Sequence, residues 1–288
     1  MTDPSNQPSQ KTRLDHWLVE AGLCPTRSKA QALVMSGQVL VNDQRVDKAG
    51  TIVKPGDAVR LKSGAAQRYV SRGGLKLEGA LTTFNLDATG VVALDIGAST
   101  GGFTDCLLQH GARHVWAIDV GTNQLDWSLR NHPNVTVMEK THVNTLTPAM
   151  VSQPPATWAV VDVSFISLKK TLPYVWPCLT PGPAKTSTLL TLLKPQFEYR
   201  DYCNSSGFDG VVKSRQELET ILLGTLSDIL ALARDHDQAL RLDGLAPSPI
   251  QGPKGNQEYL VLWQLLHDDQ KAETPSTKAL QALVSPLL

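Results

Sequence analysis

The chain has 288 residues, of which 41% are hydrophobic and 19% are charged, so it can bury one large core and a smaller second one. Its 27 basic and 27 acidic residues give no net charge, so a nucleic-acid partner has to be sought in their distribution. No run of about 18 apolar residues is present, so no transmembrane helix is predicted. Residues 1–10 are polar, lack a signal-peptide core and are expected to form a disordered tail of a cytoplasmic protein.

The cysteines have no C-x-x-C spacing, so neither a metal site nor a disulfide framework is predicted. Unpaired thiols of this kind are typical of proteins from a reducing cytoplasm. The four residues concerned are Cys24, Cys106, Cys178 and Cys203.

Basic residues are concentrated near the N-terminus. Residues 11–76 contain 12 lysines and arginines against 5 aspartates and glutamates, and the rest of the chain carries the compensating acid. This asymmetry favours a module that binds a polyanion, joined to a more acidic body.

Residues 11–62 have the pattern of a small α+β domain. Apolar residues recur at helical spacing after Arg13, and a second helix is predicted between a cap at Thr26 and a stop at Gly37. A short hairpin and a closing strand are predicted over residues 38–61.

Residues 63–68 are small and polar and are predicted to be a linker to a second domain, residues 69–268. The first helix of this domain is expected to start at Gly73 and Gly74. Its expected apolar positions include Leu75, Leu81 and Phe84.

A glycine-rich turn follows an apolar strand at residues 91–96, and helical spacing resumes at Gly102. Glycine is needed where the backbone turns tightly or lies against a ligand, and the N–H groups of the helix start point into the same place. The turn has the spacing G-x-x-x-G-G and not G-x-G-x-x-G, so a nucleotide-binding corner of a different kind is predicted. A second strand, residues 114–118, ends at Asp119, which can accept hydrogen bonds from both hydroxyls of a ribose.

Strands alternate with helices in the rest of the chain, which predicts an α/β fold with a mostly parallel sheet and helices on both faces. A loop is expected over residues 199–210, an amphipathic helix over residues 214–234 and a C-terminal tail over residues 269–288. The further predicted strands are residues 135–138, 158–165, 188–193, 241–245 and 257–263.

Two lysines and two carboxylates lie at positions that such a sheet can bring together: Lys76, Asp162, Lys194 and Glu258. A ribose hydroxyl is a poor nucleophile, and a lysine can take its proton or stabilise the developing alkoxide while carboxylates orient the amines. The alternative is that the four residues form two structural salt bridges.

Two segments carry family resemblances. The run R-L-D-x-x-L, followed by S-K-A-x-A-L-V at residues 28–34 and by P-G-D-x-V, resembles the RNA-binding domain named after ribosomal small-subunit protein S-four. D-x-G-x-x-x-G-G-F with an acid-tipped second strand resembles the S-adenosylmethionine (SAM) corner of class I methyltransferases. The positions at which RNA binding is expected are Arg13, Arg27, Lys29 and Arg45, with Arg72 in the second domain.

The motifs S-R-G-G-L-K-L, D-I-G-A-S-T-G-G-F-T-D, V-D-V-S-F-I-S-L, L-L-K-P-Q-F-E and S-P-I-x-G-P-K-G-N-Q-E-Y-L are similar to those of the TlyA/hemolysin-A family. The resemblance implies a class I, Rossmann-like domain with a seven-stranded sheet behind the RNA-binding domain. It implies SAM-dependent 2′-O-ribose methylation of a cytidine in 16S or 23S ribosomal RNA, with ribosomal subunits as partners.

The resemblance also implies roles for single residues. Lys194 would handle the proton of the hydroxyl, and Asp162 and Glu258 would position Lys194. Lys76 would hold the ribose in place. The segment Thr141–Asn144 departs from the family pattern near the expected adenine contacts. The implied SAM contacts are Asp95, Gly97, Ser99, Gly101, Gly102, Phe103 and Asp119.

Three alternatives stay open at this point. A non-catalytic ribosome-binding or assembly factor would share the fold, a pore-forming hemolysin would fit part of the family name, and a pseudouridine synthase can carry the same RNA-binding module. The protein is expected to be a monomer that binds neither a metal nor a membrane.

Overall fold

The computed structural model describes residues 8–24, 26–61, 68–182, 185–204, 207–252, 254–267 and 272–288. The chain divides into two compact units, Met1–Arg68 and Tyr69–Leu288. Residues 1–7 of the predicted N-terminal tail and residues 63–67 of the predicted linker lie outside the described residues.

The first unit is a small α+β domain, as predicted. Thr26 caps the second helix by accepting a hydrogen bond from the backbone N–H of Lys29 at 3.3 Å. The helices pack on short strands around a core that includes Leu14, Leu18 and Val34. The elements are β1 (Thr12–Arg13), α1 (Leu14–Glu20), α2 (Arg27–Met35), β2 (Val39–Val41), β3 (Gln44–Val46), β4 (Ile52–Val53) and β5 (Val59–Leu61).

The second unit is built on a seven-stranded sheet with the strand order β11-β12-β10-β9-β6-β7-β8. Its first half contains α3 (Gly73–Thr83), β6 (Val92–Ile96), α4 (Gly102–Gln109), β7 (His114–Ile118), α5 (Trp127–Arg130), β8 (Val135–Met138) and β9 (Trp158–Val161). Its second half contains α6 (Leu168–Val175), β10 (Thr186–Leu193), α7 (Pro195–Tyr202), α8 (Arg215–Asp235), β11 (Ala239–Pro247), β12 (Tyr259–Leu266) and α9 (Thr277–Val284).

The sheet is parallel except at β12, which runs antiparallel to both β10 and β11. Helices α3 and α4 cover one face through residues such as Leu77 and Leu107, and α6, α8 and α9 cover the other through residues such as Leu172 and Leu226. The predicted α/β class with helices on both faces is therefore confirmed, and its buried strands are the continuous apolar runs that parallel sheets require.

Two predicted elements differ from the structure. The fourth strand ends at Val161 and not at residue 165, because Phe165 has a left-handed backbone with φ +66° that no strand can contain. The predicted loop over residues 199–210 begins inside a helix, α7, because Pro195 occupies the first helical position, where its fixed φ is favourable.

Helix α3 starts at Gly73 as predicted, but Leu75 is exposed and Leu77 is the buried residue. A Cβ atom on Gly74 would lie 2.3 Å from Cγ of Tyr69, so the close approach of this tyrosine requires glycine. Of the three predicted apolar positions, Leu81 is buried and Phe84 packs against the core as expected, whereas Leu75 lies on the exposed side.

The predicted C-terminal tail contains helix α9, which belongs to the main core. Leu280 and Val284 are buried there, and α9 packs against α8. The segment TKALQALV has apolar residues at helical spacing, so the end of the predicted tail is an ordered helix and not a frayed segment.

We predict that Leu280→Ala lowers the free energy of unfolding of the second unit by about 2 kcal/mol or more, because it leaves a cavity under α9. The exposed neighbour Gln281 provides the control, and Gln281→Ala is expected to change stability by less than about 0.5 kcal/mol. Urea unfolding of both full-length variants measures the difference, and equal stabilities would contradict the packing of α9 on the core.

Candidate active site

A cavity of about 380 Å³ opens at the edge of the sheet where the parallel strands end. Gly97 follows β6, Asp162 follows β9 and Lys194 follows β10, so three strand ends contribute to one wall. Glu258 immediately precedes the antiparallel β12, and Lys76 comes from α3. The four predicted catalytic residues are therefore brought together at one cavity.

The four side chains form a continuous chain of ion pairs. Lys194 Nζ lies 2.6 Å from Asp162 Oδ1, and Lys76 Nζ lies 3.8 Å from Asp162 Oδ2. Lys76 Nζ also donates a hydrogen bond of 2.6 Å to Glu258 Oε2. Asp162 thus stands between two ammonium groups, and the opposite charges balance.

The same geometry shows how deeply the group is buried. Lys76, Lys194 and Glu258 are 9%, 7% and 1% exposed, whereas the Asp162 side chain is 19% exposed. Burial of ions is costly unless they are paired, so the pairs hold one another in place. The partly exposed carboxylate of Asp162 is the point at which a substrate can reach the chain of charges.

Local backbone features position these side chains. Lys194 is the residue before α7, and Pro195 fixes the start of that helix directly after it. A Cβ on Gly252 would lie 2.7 Å from Glu258 Oε1, so the loop before β12 passes over the carboxylate at a distance that only glycine allows. Substitution of this glycine would push the loop against Glu258.

A second cavity, of about 610 Å³, shares part of its wall with the first. Asp119 lies in it at the end of β7, where its carboxylate accepts hydrogen bonds of 2.7 Å from the backbone N–H groups of Ser99 and Gly121. Ile118 and Val143 line the cavity beside this carboxylate. A cavity with apolar walls and a carboxylate that backbone N–H groups hold in place, here Asp119, has the character of a nucleoside site. Gly97, Ser99, Asp162, Ser164 and Phe165 line both cavities.

The glycine-rich motif divides into cavity residues and supporting residues. Gly97, Ser99, Gly102 and Phe103 line the first cavity. Gly97 has φ +86° and would place a Cβ 2.7 Å from the backbone oxygen of Asp162, so the turn requires glycine there.

Of the residues predicted to contact SAM, Asp95 and Gly101 line neither of these two cavities. Gly101, with φ +95°, faces Leu129, whose Cδ1 would be 2.3 Å from an added Cβ. Asp95 is fully buried, and its Oδ2 accepts a hydrogen bond of 2.6 Å from Thr104 Oγ1. Both residues support the glycine-rich turn without lining either cavity.

Three residues of the first cavity received no role from the sequence. Ser164 Oγ accepts a hydrogen bond of 3.0 Å from Lys194 Nζ. Phe165 is 91% exposed, and its ring centroid lies 5.1 Å from that of Phe197. Gln196 follows Lys194 by two residues. All three lie in the quoted motifs, but only the fold shows that they line the cavity.

In the first unit, Asp15 organises two of the residues predicted to bind RNA. Its buried carboxylate accepts hydrogen bonds from Arg13 Nε at 3.0 Å, Arg27 Nε at 2.9 Å and Gln31 Nε2 at 2.9 Å. The Arg13 guanidinium holds the pKa of Asp15 well below its usual range. About half of each arginine side chain remains exposed, so both present N–H groups at the surface.

The other predicted RNA-binding residues occupy separate places. Lys29 is on α2, and the Arg45 guanidinium lies over Gly37, where an added Cβ would be 2.0 Å from Nε. Arg72, in the second unit, lines the first cavity and donates a hydrogen bond of 3.4 Å to the backbone oxygen of Gln251.

Over the described ranges, no group of three or more histidine, cysteine, aspartate or glutamate side chains could hold a metal ion. In the same part of the chain, no helix has the length and hydropathy needed to cross a bilayer. The four cysteines lie within the described residues and form no disulfide; Cys24, Cys106 and Cys178 are buried and Cys203 is partly exposed.

Comparisons with known proteins agree with this architecture. A model of FtsJ-like methyltransferases matches residues 69–265, and a model of the S4 domain matches residues 12–59. The chain therefore belongs to the FtsJ-like methyltransferase family and carries an S4 domain on the N-terminal side of its catalytic domain. The resemblance to the TlyA/hemolysin-A family is confirmed, and the pseudouridine synthase alternative is excluded.

Several relatives cover nearly the whole chain. YqxC of Bacillus subtilis (strain 168), whose name makes it a candidate rRNA methyltransferase, is 43% identical over 88% of this chain and 85% of its own. The 16S/23S rRNA (cytidine-2′-O)-methyltransferase TlyA of Mycobacterium tuberculosis (strain ATCC 25618 / H37Rv) is 37% identical over 91% of this chain and 92% of its own. A solved structure, described as a candidate hemolysin from Streptococcus thermophilus, has a TM-score of 0.68 at 37% identity and covers 97% of this chain and 96% of its own.

Asp95 predicts a specific pH dependence of stability. Burial, reinforced by the charges of Asp162 and Asp119, raises the pKa of Asp95 to about 7, although the Thr104 hydrogen bond opposes the shift. In the unfolded chain this carboxyl ionises near pH 4, so its contribution to stability is lost as the pH rises from about 4 to about 7.

We therefore predict that Asp95→Asn gains stability relative to the wild type by about 2 kcal/mol between pH 5 and pH 8. Asparagine keeps the acceptor for Thr104 and cannot ionise. Urea unfolding of both proteins at the two pH values measures the difference, and parallel pH profiles would contradict a neutral buried Asp95.

Proposed function

We propose that this protein transfers the methyl group of SAM to the ribose 2′-hydroxyl of a cytidine in ribosomal RNA. The observation that carries the proposal is the group Lys76, Asp162, Lys194 and Glu258, which is buried, charge-balanced and open to the cavity at Asp162. Such a group has no need of a metal to handle the proton of a hydroxyl.

The second cavity has the features that SAM requires. Asp119 is held by two backbone N–H groups and keeps lone pairs for ribose hydroxyls, and the apolar walls suit an adenine ring. Gly97 lets the backbone lie close to the ligand at the junction of the two cavities. When bound, SAM supplies an electrophilic methyl group. Ser99 and Asp119 would hold its nucleoside part.

Lys194 is the residue that we assign to the proton of the attacking hydroxyl. Lys194 rests as the ammonium partner of Asp162, so it has to release a proton to solvent before it can act as the base. As the new O–C bond forms, the hydroxyl proton then passes to Nζ of Lys194, and Asp162 orients this amine from 2.6 Å. Lys76, held by Glu258, is placed to stabilise the negative charge that develops on the ribose oxygen. Ser164 fixes Lys194 from a second direction.

The entrance of the cavity suits an RNA nucleotide. Phe165 exposes nearly all of its ring, and Phe197 supports it from 5.1 Å, so a base unstacked from RNA can stack there. The exposed guanidinium of Arg72 at the same cavity can pair with a phosphate. A strained, exposed aromatic residue is costly for folding alone and is typical of a binding surface.

The RNA partner and the choice of cytidine rest on different observations. The basic surface of the first unit, with Arg13 and Arg27 held in place by Asp15, supports RNA binding. Cytidine and ribosomal RNA come from the name of the Mycobacterium tuberculosis relative.

The family matches at residues 12–59 and 69–265 support domain limits of 11–62 and 69–268, with a linker at 63–68. We also propose that the protein acts as a cytoplasmic monomer.

We predict that Lys194→Ala lowers the rate of methyl transfer by at least about 100-fold, because it removes the group that we assign to the hydroxyl proton. The substrates are labelled SAM and purified ribosomal subunits from a strain that lacks the gene. Lys170 is an exposed lysine of α6, and Lys170→Ala serves as the matched control with unchanged activity.

Lys194→Ala should still bind SAM, which equilibrium binding measures independently of turnover. Full activity in Lys194→Ala would contradict the catalytic assignment. No transfer to either subunit or to free ribosomal RNA by the wild type, despite SAM binding, would favour another RNA substrate or a non-catalytic assembly factor.

For the first unit, we predict that the double variant Lys29→Gln, Arg45→Gln weakens binding to ribosomal RNA and reduces the slope of log K against log salt by about 2. Each phosphate contact that the variant loses leaves on the RNA one condensed counterion that the wild type would release. Lys278→Gln, which removes an exposed charge from α9, is expected to leave the slope unchanged. An unchanged slope in the double variant would show that these residues do not contact phosphates.

A further inference from the structure

Asn256 joins two loops beside the first cavity. It precedes Glu258 by two residues, and only 4% of its surface is exposed. Its Nδ2 donates a hydrogen bond of 2.8 Å to the backbone oxygen of Gly210, and its Oδ1 accepts one of 3.0 Å from the backbone N–H of Val212. Because both ends of this buried amide have partners in the segment that follows α7, the side chain is fixed in one orientation.

The main chain of the same residue holds the loop that precedes β12. The backbone oxygen of Asn256 accepts a hydrogen bond of 2.9 Å from the backbone N–H of Gly252. Gly252 lines the first cavity together with its neighbours Ile250 and Gln251. Asn256 therefore ties one wall of the first cavity to the segment after α7.

Gly252 in turn limits where the carboxylate of Glu258 can lie. The backbone of Gly252 approaches Glu258 so closely that an added Cβ would be 2.7 Å from Oε1. The other oxygen, Oε2, accepts the hydrogen bond of 2.6 Å from Lys76 Nζ. A carboxylate that packs against the backbone on one side and binds an ammonium group on the other has little freedom, so the position of the loop sets the position of Lys76.

The two cavities are affected differently by this arrangement. Ile250, Gln251, Gly252 and Glu258 line the first cavity. Of the described residues, none from 207–213 or 248–258 lines the second cavity, where Asp119 lies. Loosening Asn256 should therefore disturb the side that receives the ribose hydroxyl and leave the binding of SAM intact, which a general loss of structure would not do.

We propose that Asn256 is a positioning residue for methyl transfer, which rests on the proposed function. It fixes the loop before β12, so that Glu258 holds Lys76 beside the ribose oxygen on which negative charge develops. Asn256 itself lines neither cavity, so it acts through Gly252 and Glu258 and not by contact with a substrate. Small displacements of a group that stabilises developing charge are costly for the rate.

The first test uses Asn256→Leu, which has a similar size and no polar atoms. Single-turnover methyl transfer is measured with enzyme and SAM in excess over ribosomal subunits from a strain that lacks the gene. We expect the rate constant to fall by at least about 10-fold, because Lys76 is no longer held in place. The dissociation constant of SAM, measured by equilibrium binding, should stay within about 2-fold of the wild-type value.

A destabilised variant elsewhere in the fold controls for general damage. Leu280→Ala leaves a cavity under α9, and Leu280 lines neither of the two cavities at the site. At a temperature where all proteins are folded by circular dichroism, Leu280→Ala should keep the wild-type rate constant. If Asn256→Leu does not fold, Asn256→Ala replaces it with the same expected results.

The second test asks whether Asn256 acts through Gly252. Gly252→Ala pushes the same loop against Glu258 and should slow transfer on its own. If both changes act through this one contact, the double variant should be about as slow as the slower single variant. Reductions that multiply would show that Asn256 acts by a separate route and would overturn the proposal.

The remaining outcomes separate this proposal from the proposed function. A wild-type rate constant in Asn256→Leu, or a loss of SAM binding that parallels the loss of rate, would overturn the positioning role while methyl transfer by the wild type stands. Absence of methyl transfer from SAM by the wild type would instead overturn the proposed function, and the role of Asn256 with it.

Discussion

The site depends on one carboxylate, Asp162, which stands between two buried ammonium groups. Without it, Lys194 would lose its counterion at 2.6 Å and Lys76 would keep only Glu258. Buried ammonium groups without partners are strongly destabilising, so the ion pairs are as much a condition of the local fold as of the chemistry. The strand order satisfies this condition, because it places the ends of β9 and β10 next to each other and the start of β12 beside them.

A short segment after β9 serves both cavities, since Asp162, Ser164 and Phe165 line each of them. Its far end is fixed by Glu198 of α7, whose buried carboxylate accepts hydrogen bonds from Ser167 Oγ at 2.6 Å and from the backbone N–H of Leu168 at 2.8 Å. Burial raises the pKa of this carboxyl. Helix α7, which begins directly after Lys194, therefore also fixes the segment that lines both cavities.

The sequence predicted the sheet and the four charged residues because buried parallel strands are continuous apolar runs and their ends share one edge. It did not predict helix α7, since Pro195 stops a strand and starts a helix equally well. It could not separate Asp95 and Gly101 from the cavity residues, because a motif does not show which side of a turn faces the core. Nor could it show that Asp15 holds Arg27, which lies twelve residues away.

The measurement that tests the account most directly is the identity of the methylated nucleoside. Ribosomal RNA modified by the purified protein would be digested to nucleosides and analysed by mass spectrometry against synthetic standards. The account predicts 2′-O-methylcytidine as the product, because we assign the paired lysines to a ribose hydroxyl and the Mycobacterium tuberculosis relative is named for cytidine. A cytidine or another nucleoside methylated on its base would contradict the account, since the site would then act on a different atom.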